Sequence, residues 1–405
     1  MKAGWVIKKL EDVCDIERGG SPRPIDNFIT DAPDGINWIK IGDTKNVTKY
    51  IYGTEQKIKP EGAKRSRMVF EGDFILSNSM SFGRPYIMKT TGCIHDGWLV
   101  LRKPNVDHNY LYYVLGSDLV FSQFYRLSAG STVRNLNIGL VKGVEIPVPS
   151  LPEQQRIVTI LDEAFDGIAT AKANAEKNLQ NARALFESHL QSVFTQRGEG
   201  WKEEPVSSFC DVKHGFAFDG AEFSTDVPEG NPLVITPGNF TEDGKLLFNE
   251  KNTKRFSGEP SAAFLFDVGD LAVVMTDLSS KMKILGKPAF VETDNVLHNQ
   301  RIGRVVFVND RIKRRFLYYY MMSEGFLKNI KNSATGTMVK HTAPKRILSN
   351  VIPYPIDRKK QQAVISKIDS LRTETQRLES IYQQKFAALD TLKKSLLDQA
   401  FTGQL

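Results

Sequence analysis

The chain has 405 residues, 41% hydrophobic and 25% charged, which excludes a disordered tail or a collagen-like fibre and suits two or three globular domains. No run approaches the ~18 apolar residues of a membrane span. The start, Met1-Lys2-Ala3-Gly4-Trp5, lacks a secretory apolar core, and Cys14, Cys93 and Cys210 form no CxxC pair, so a cytoplasmic protein with reduced thiols is expected. Net charge is +7, by itself a weak pointer to a polyanionic partner.

Residues 1–150 carry short apolar runs between Gly, Pro, Asn and Asp. Asn37-Trp38-Ile39-Lys40-Ile41 and Phe74-Ile75-Leu76 read as strands, and aromatics on one face predict a helix over 110–125, so an α+β domain is expected. Polar, Gly-rich loops carry Arg18, Ser21, Arg23, Asn78, Ser79, Ser81 and Arg84, then Ser131, Thr132, Arg134 and Asn135. Arg and Lys match guanine edges and Asn or Gln match adenine, whereas Ser, Thr and Lys meet phosphates. Each alone is at home in a solvated loop; as sets they suit DNA. Pro33-Asp34 with Asp43-Thr44-Lys45 fits the loose PD…(D/E)xK nuclease pattern, but that pattern is degenerate and the second half of the chain has no counterpart.

Residues 151–200 read as a long helix. Ser150-Leu151-Pro152-Glu153 looks like a capping-box start with proline in the first turn. Ile157, Leu161, Ala164, Ile168, Ala171, Ala175, Leu179, Ala182, Phe186, Leu190 and Val193 then follow in steps of three and four, the seam of a coiled coil.

Residues 201–356 read as a second α+β domain. Strands are expected at 271–275 and 304–308, and a helix over 314–329. Its loop candidates are Lys213, Ser280, Lys281, Lys283 and Lys287, then Asn299, Gln300, Arg301, Thr337, Lys340 and His341. Lys281 to Arg346 holds 14 Lys and Arg against 4 Asp and Glu, while Trp201 to Ser280 holds 6 against 14. Such segregation suits a surface that meets a polyanion, or an internal balance between neighbouring segments. Phe216 and Phe218 are expected in the core rather than as wedges between bases, and Tyr318-Tyr319-Tyr320 in helix packing. No GxGxxG follows a strand, Gly238 to Lys245 lacks P-loop spacing, and no HExxH, GxSxG or Asn-Pro-Pro-Tyr/Phe occurs. Nothing here carries catalysis. Residues 357–405 form the second helix, capped by Asp357, with a seam at Ile365, Ile368, Leu371, Thr375, Leu378, Tyr382, Phe386, Leu389, Leu392 and Leu396.

The two halves repeat one another. Trp5 and Cys14-Asp15 return as Trp201 and Cys210-Asp211, Gly19 as Gly215, and Gly72-Asp73 as Gly269-Asp270. Gly83-Arg84-Pro85 returns as Gly286-Lys287-Pro288, Ile94-His95 as Leu297-His298, and Gln154-Gln155 as Gln361-Gln362. Many anchors in one order make a tandem duplication. Neither His95 nor His298 has a Cys or carboxylate at ligand spacing, so both read as structural or DNA-facing rather than metal-binding. Two long helices, each ~65 Å at ~1.5 Å per residue, should pair antiparallel as a spacer with pseudo-two-fold symmetry.

Ile146-Pro147-Val148-Pro149-Ser150-Leu151-Pro152-Glu153-Gln154-Gln155-Arg156-Ile157 and Leu392-Lys393-Lys394-Ser395-Leu396-Leu397-Asp398-Gln399-Ala400-Phe401-Thr402-Gly403 resemble the helical spacer boundaries of the specificity subunits of type I restriction–modification systems. Gly72-Asp73 and 131–136 resemble anchors of their target recognition domains. Asp357-Arg358-Lys359-Lys360 departs from the pattern where the first copy has Leu151-Pro152-Glu153. The resemblance implies a non-catalytic reader of double-stranded DNA, with recognition domains at 1–150 and 201–356 and helical spacers at 151–200 and 357–405. Differences such as Ser77-Asn78-Ser79 against Thr276-Asp277-Leu278 imply two unlike half-targets. It also implies two methyltransferase subunits and restriction subunits as partners, with S-adenosylmethionine, ATP and magnesium bound by those partners and no cofactor here. Alternatives are the recognition subunit of another defence or fused methyltransferase system, and a structural coiled-coil adaptor.

Overall fold

A computed structural model of the chain describes residues 2–78, 83–127, 136–195, 198–226 and 228–405. It divides into two compact units, Met1–Glu176 with Gln383–Leu405, and Lys177–Tyr382. Among the described residues no helix is long and apolar enough to cross a membrane.

In the first unit, β-branched and aromatic runs too short for a helix pair into three sheets. Val6–Lys9 pairs antiparallel with Glu145–Val148, which sets Ile7 opposite Pro147 and closes the domain on its own start. The second sheet has the order Asp15–Arg18, Trp98–Arg102, Phe74–Ser77, Pro85–Met88, Tyr50–Ile51. The third has the order Ile29–Thr30, Gln56–Ile58, Ile36–Ile39, Gly92–Ile94, Arg67–Val69. Strands Phe74–Ser77 and Trp98–Arg102 are covered on both faces, and successive side chains serve different cores. Phe74, Leu76, Leu99 and Leu101 pack with the helix His108–Leu115. Ile75, Trp98 and Val100 pack with Ile39 and Ile94.

The second unit repeats this order strand for strand. Trp201–Pro205 pairs with Val351–Pro355. One sheet runs Cys210–His214, Ile302–Phe307, Leu271–Val274, Pro288–Phe290; the other runs Phe223–Ser224, Arg255–Phe256, Leu233–Val234, Val296–Leu297, Leu265–Phe266. In both copies the third and fourth strands of this last sheet are parallel and its other pairings antiparallel. The duplication read from scattered anchors is thus a duplication of topology. Its additions are Tyr50–Ile51 in the first copy and a small Thr276–Asp277/Lys340–His341 sheet in the second.

The anchors recur because the same local problem recurs. A Cβ on Gly19 would lie 2.1 Å from the His95 carbonyl oxygen, and one on Gly215 2.3 Å from that of His298, so both crossings require glycine. Gly72 and Gly269 share φ near +90° (91° and 89°). The aspartate after each closes its turn, Asp73 accepting from the Phe70 N–H and Asp270 from the Asp267 N–H, both at 2.9 Å. Each then takes an arginine from the adjacent strand, Arg102 at 3.2 Å and Arg304 at 2.6 Å.

Three expectations need correction. The single helices over 110–125 and 314–329 are pairs, His108–Leu115 with Asp118–Leu127 and Arg314–Met322 with Glu324–Asn332. The hydroxyls of Ser117 and Ser323 donate back to the carbonyls of Val114 and Tyr320 at 2.6 Å and interrupt the run. Glu153 does not complete a capping box, because its carboxylate is taken by Lys2 at 2.9 Å and Arg156 at 2.7 Å. Leu392 leaves the seam, standing 46% exposed.

The long helices span Leu151–Thr195 and Arg358–Thr402, and Asp357 caps the second by accepting from the Lys359 N–H at 2.8 Å. Within the first unit Arg156 donates to the Leu405 carbonyl, the Lys393 ammonium lies 4.8 Å from the Phe165 ring centre, and Lys172 pairs with Asp390. Rising numbers meet falling numbers, so the helices run antiparallel. In the second unit Arg183 pairs with Glu379 at 2.6 Å, and Leu190 and Phe194 share a core with Ile365 and Ile368.

Each domain grips its helix in the same way. Buried Gln154 accepts from the Asp107 N–H (2.8 Å) and donates to the Pro149 carbonyl (2.9 Å). Buried Gln361 accepts from the Lys313 N–H and donates to the Pro355 and Arg311 carbonyls, all at 2.9 Å. Two turns further on, the Tyr113 hydroxyl donates to Asp162 and the Tyr319 hydroxyl to Asp369. Gln361→Met, of similar volume, leaves one buried N–H and two carbonyls without that partner. At ~1–3 kcal/mol for each group stranded, the expected loss is at least about 3 kcal/mol, read as a lower denaturant midpoint with an unchanged slope.

Candidate nucleic-acid interface

The first copy gathers its loop candidates around a residue that sequence reasoning passed over. Asp96 follows Gly92–Ile94 and His95, and its carboxylate accepts from the Ser21 hydroxyl at 2.7 Å and from Arg23 at 3.1 Å. Its backbone carbonyl accepts from Arg18 Nε at 3.3 Å and from Asn78 Nδ2 at 2.8 Å. The Ser21 hydroxyl, first, with charge from His95 and Arg23, holds the Asp96 carboxyl below its usual range. Four candidates thus converge on one acceptor. Asn78 is itself buried, so it fixes the loop rather than reaching outward, whereas Arg18 and Arg23 are exposed. Arg84 does not join them: it is exposed, with its guanidinium 5.6 Å from the Tyr86 ring centre. Ser79, Ser81, Ser131, Thr132, Arg134 and Asn135 lie outside the described residues. Beside the cluster, Pro22, Pro24, Ile25, Trp38, Ile41 and His95 line an open apolar cleft of about 890 Å³.

The nuclease-like pattern dissolves locally. Asp43 is a turn residue, accepting from the Lys40 N–H at 2.7 Å and the Glu55 N–H at 3.3 Å. Among the described residues no three His, Cys, Asp or Glu side chains group as a metal site.

In the second copy the candidates gather on the strand end Met275–Asp277. Lys340–His341 pairs with Thr276–Asp277, and the Thr276 hydroxyl lies 3.1 Å from His341 Nδ1. The Met275 N–H donates to the Arg301 carbonyl and the Thr342 N–H to the Met275 carbonyl. Buried Asp277 organises the adjoining loop, accepting from the Ser279 N–H at 2.8 Å and the Ile284 N–H at 3.1 Å, and so presents exposed Ser280 and Lys281. Thr337 is exposed, and the Lys340 ammonium donates to the Gly336 carbonyl. Lys287 is half-buried, and burial, then the neighbouring Lys331, pushes its ammonium below the usual value.

Other candidates are committed elsewhere. Lys213 pairs with Asp211 at 2.5 Å and Lys283 with Glu242 at 2.7 Å, and Asn299 is buried. Gln300 and Arg301 are exposed, and among the described residues no hydrogen bond or ion pair holds their side chains. Of the fourteen basic residues in Lys281–Arg346, Lys283, Arg304 and Arg311 pair with acids of the preceding stretch, namely Glu242, Asp267 with Asp270, and Glu204. Internal balance therefore accounts for a minority of the block.

The matched histidines are structural. His298 is buried against Phe266, with Nε2 3.0 Å from the Ile302 carbonyl, and the Gly97 N–H donates to His95 Nδ1 at 2.7 Å. The tyrosine run is buried in Arg314–Met322, as its helical spacing predicts. Phe218 is half-buried, but Phe216, expected in the core, stands 50% exposed.

Residues 2–180 match the family described as type I restriction modification DNA specificity domain. The chain is 24% identical over 357 residues to the MjaVIII type I restriction enzyme specificity subunit of Methanocaldococcus jannaschii, covering 84% of this chain and 80% of that one. It is 20% identical to the EcoKI specificity subunit of Escherichia coli, covering 99% and 89%. Two solved structures share the fold over 100% of this chain, each at 18% identity. One comes from work on complex assembly and conformational transition of the type I R-M system (TM-score 0.78, 99% of that chain). The other is the HsdS subunit from Thermoanaerobacter tengcongensis (TM-score 0.61, 98%).

Burial pushes the His298 imidazole down to about 4 from its ordinary 6.5. The folded value lies below the unfolded one, so the unfolded chain takes up the proton first as pH falls. This contribution to stability is complete above about 6.5 and is lost between 6.5 and 4, on the order of 3 kcal/mol. Thermal unfolding at pH 7.5 and pH 5 should show a smaller acid loss in His298→Gln than in the parent chain. An equal loss would remove His298 from the account.

Proposed function

We propose that the chain is a specificity subunit of a type I restriction–modification system and reads a two-part, asymmetric DNA target, one half with each α+β domain. The carrying observation is that two copies of one strand topology present different polar clusters. The first is built on Asp96 with Arg18, Ser21 and Arg23. The second is built on Asp277 with Ser280, Lys281, Arg301 and His341. A shared scaffold with unlike reading surfaces is what two unlike half-targets demand.

Exposed Arg and Lys supply contacts to phosphates, which position the protein, while Arg, Gln and Asn edges distinguish bases. The chain carries no catalytic constellation of its own in this reading. Chemistry belongs to partners, two methyltransferase subunits and the restriction subunits, which would also bind S-adenosylmethionine, ATP and magnesium. The antiparallel helices, whose outer faces are charged and exposed, are the element left for such partners to hold.

The test is methylation mapping of host DNA with the chain and its methyltransferase present. A gapped, asymmetric motif should depend on the chain, and replacing residues 201–356 by those of a relative should change one half-motif only. A motif unchanged by that replacement, or no dependent motif, overturns the reading. Affinity of the complete complex for its target should fall steeply with salt, with log K linear in log [salt].

A further inference from the structure

Phe216 does not behave as a core residue. Its ring packs on Phe218 and Phe264, with centres 5.0 and 5.1 Å apart, yet half of it remains open to solvent. The core beneath is already closed by Phe218 against Phe256. The backbone holds Phe216 on both sides, its N–H donating to the His298 carbonyl and its carbonyl accepting from the Gln300 N–H, both at 3.0 Å. Gly215 before it admits no other residue at that crossing. An exposed ring is thus mounted rigidly and tied by one hydrogen bond to Gln300, whose side chain is exposed beside that of Arg301. The first copy has Gly20 at the step after its matching Gly19, so the feature belongs to one domain only.

Resting on the DNA-recognition reading above, we infer that Phe216 is a specificity-determining residue of the second domain, making apolar contact with the 5-methyl group of a thymine. An A·T pair offers the major groove two marks: the adenine N6/N7 edge, which a Gln amide matches, and the thymine methyl, which an apolar side chain matches. Gln300 and Phe216, joined through their backbones, carry one group of each kind. Arg301, next to Gln300 in sequence and exposed, is placed to meet a phosphate. The second half-target then contains a thymine.

Uracil in place of thymine removes that methyl and nothing else. With the complete methyltransferase complex on its own mapped target, each thymine of the second half is replaced singly by uracil. One replacement should weaken binding by parent protein roughly three- to tenfold, about the worth of one buried methyl. Phe216→Ala should bind the thymine target more weakly by a similar factor and lose all sensitivity at that position. Phe216→Leu should keep part of it, and sensitivity in the first half should be the same in all three. If the parent complex shows no specific binding, the DNA reading itself fails. If binding is specific but no second-half thymine matters, or Phe216→Ala retains the sensitivity, Phe216 is not the methyl reader.

Discussion

The side-chain amide of Gln154, and of Gln361 in the second copy, is the joint on which the remaining architecture depends. Each lies buried in the first turns of a 45-residue helix and bonds to the domain that precedes it, accepting an N–H from one loop and donating to the proline carbonyl that ends a strand. A buried amide with all these bonds made is fixed in one orientation, because any rotation strands donors and acceptors away from water. The Tyr113–Asp162 and Tyr319–Asp369 pairs then hold the same helix further along, so the domain meets it at two places rather than pivoting on one. A reading surface on loops gains from such a mount, since it needs its side chains held to a fraction of an ångström by an unyielding support.

Much of this was open to reading in the chain itself. Steps of three and four over more than forty residues could only be long helices, and Gly19, Gly72-Asp73 and Gln154 recurred because close crossings and tight turns accept few residues. What escaped was of another kind. Asp96 acts through contacts with residues far off in the chain, such as Arg23, and Asp277 through the loop that folds back on it at Ser279 and Ile284; no local pattern marks either carboxylate as a hub. A faint signal existed, because Ile94-His95 and Leu297-His298 repeat and the next residue changes from Asp96 to Asn299. Phe216 misled because an aromatic among aromatics is consistent with core and surface alike until neighbouring rings are placed. Ser117 and Ser323 cut helices that hydrophobic spacing joins, since their hydroxyls compete for backbone carbonyls.

Charge tells a related story. The acidic and basic stretches of the second copy neutralise one another at a few places, and those pairs do structural work: Arg304 spans Asp267 and Asp270, and Arg311 reaches Glu204. Of what remains, Arg315 pairs with Asp369, whereas Lys281, Arg301, Lys328, Lys345 and Arg346 have no acid partner among the described residues. Surplus charge on a folded surface costs self-repulsion, which an arriving polyanion relieves. The first copy handles its arginines differently, placing Arg23 against Asp96. Two domains with one scaffold therefore differ in electrostatic character as well as in side-chain identity.

The three native thiols are all buried and unpaired. Cys14 and Cys210, at matching places in the two copies, are pushed up to about 12 by burial and then by the carboxylates of Asp15 and Asp211. A thiol so far from ionising is a poor nucleophile near neutrality. The folded chain is accordingly close to silent toward maleimides and mild oxidants, and a single cysteine introduced at Lys281 or Arg23 could be labelled with a dye against almost no background. Each polar cluster can be watched separately in this way without first removing any native residue.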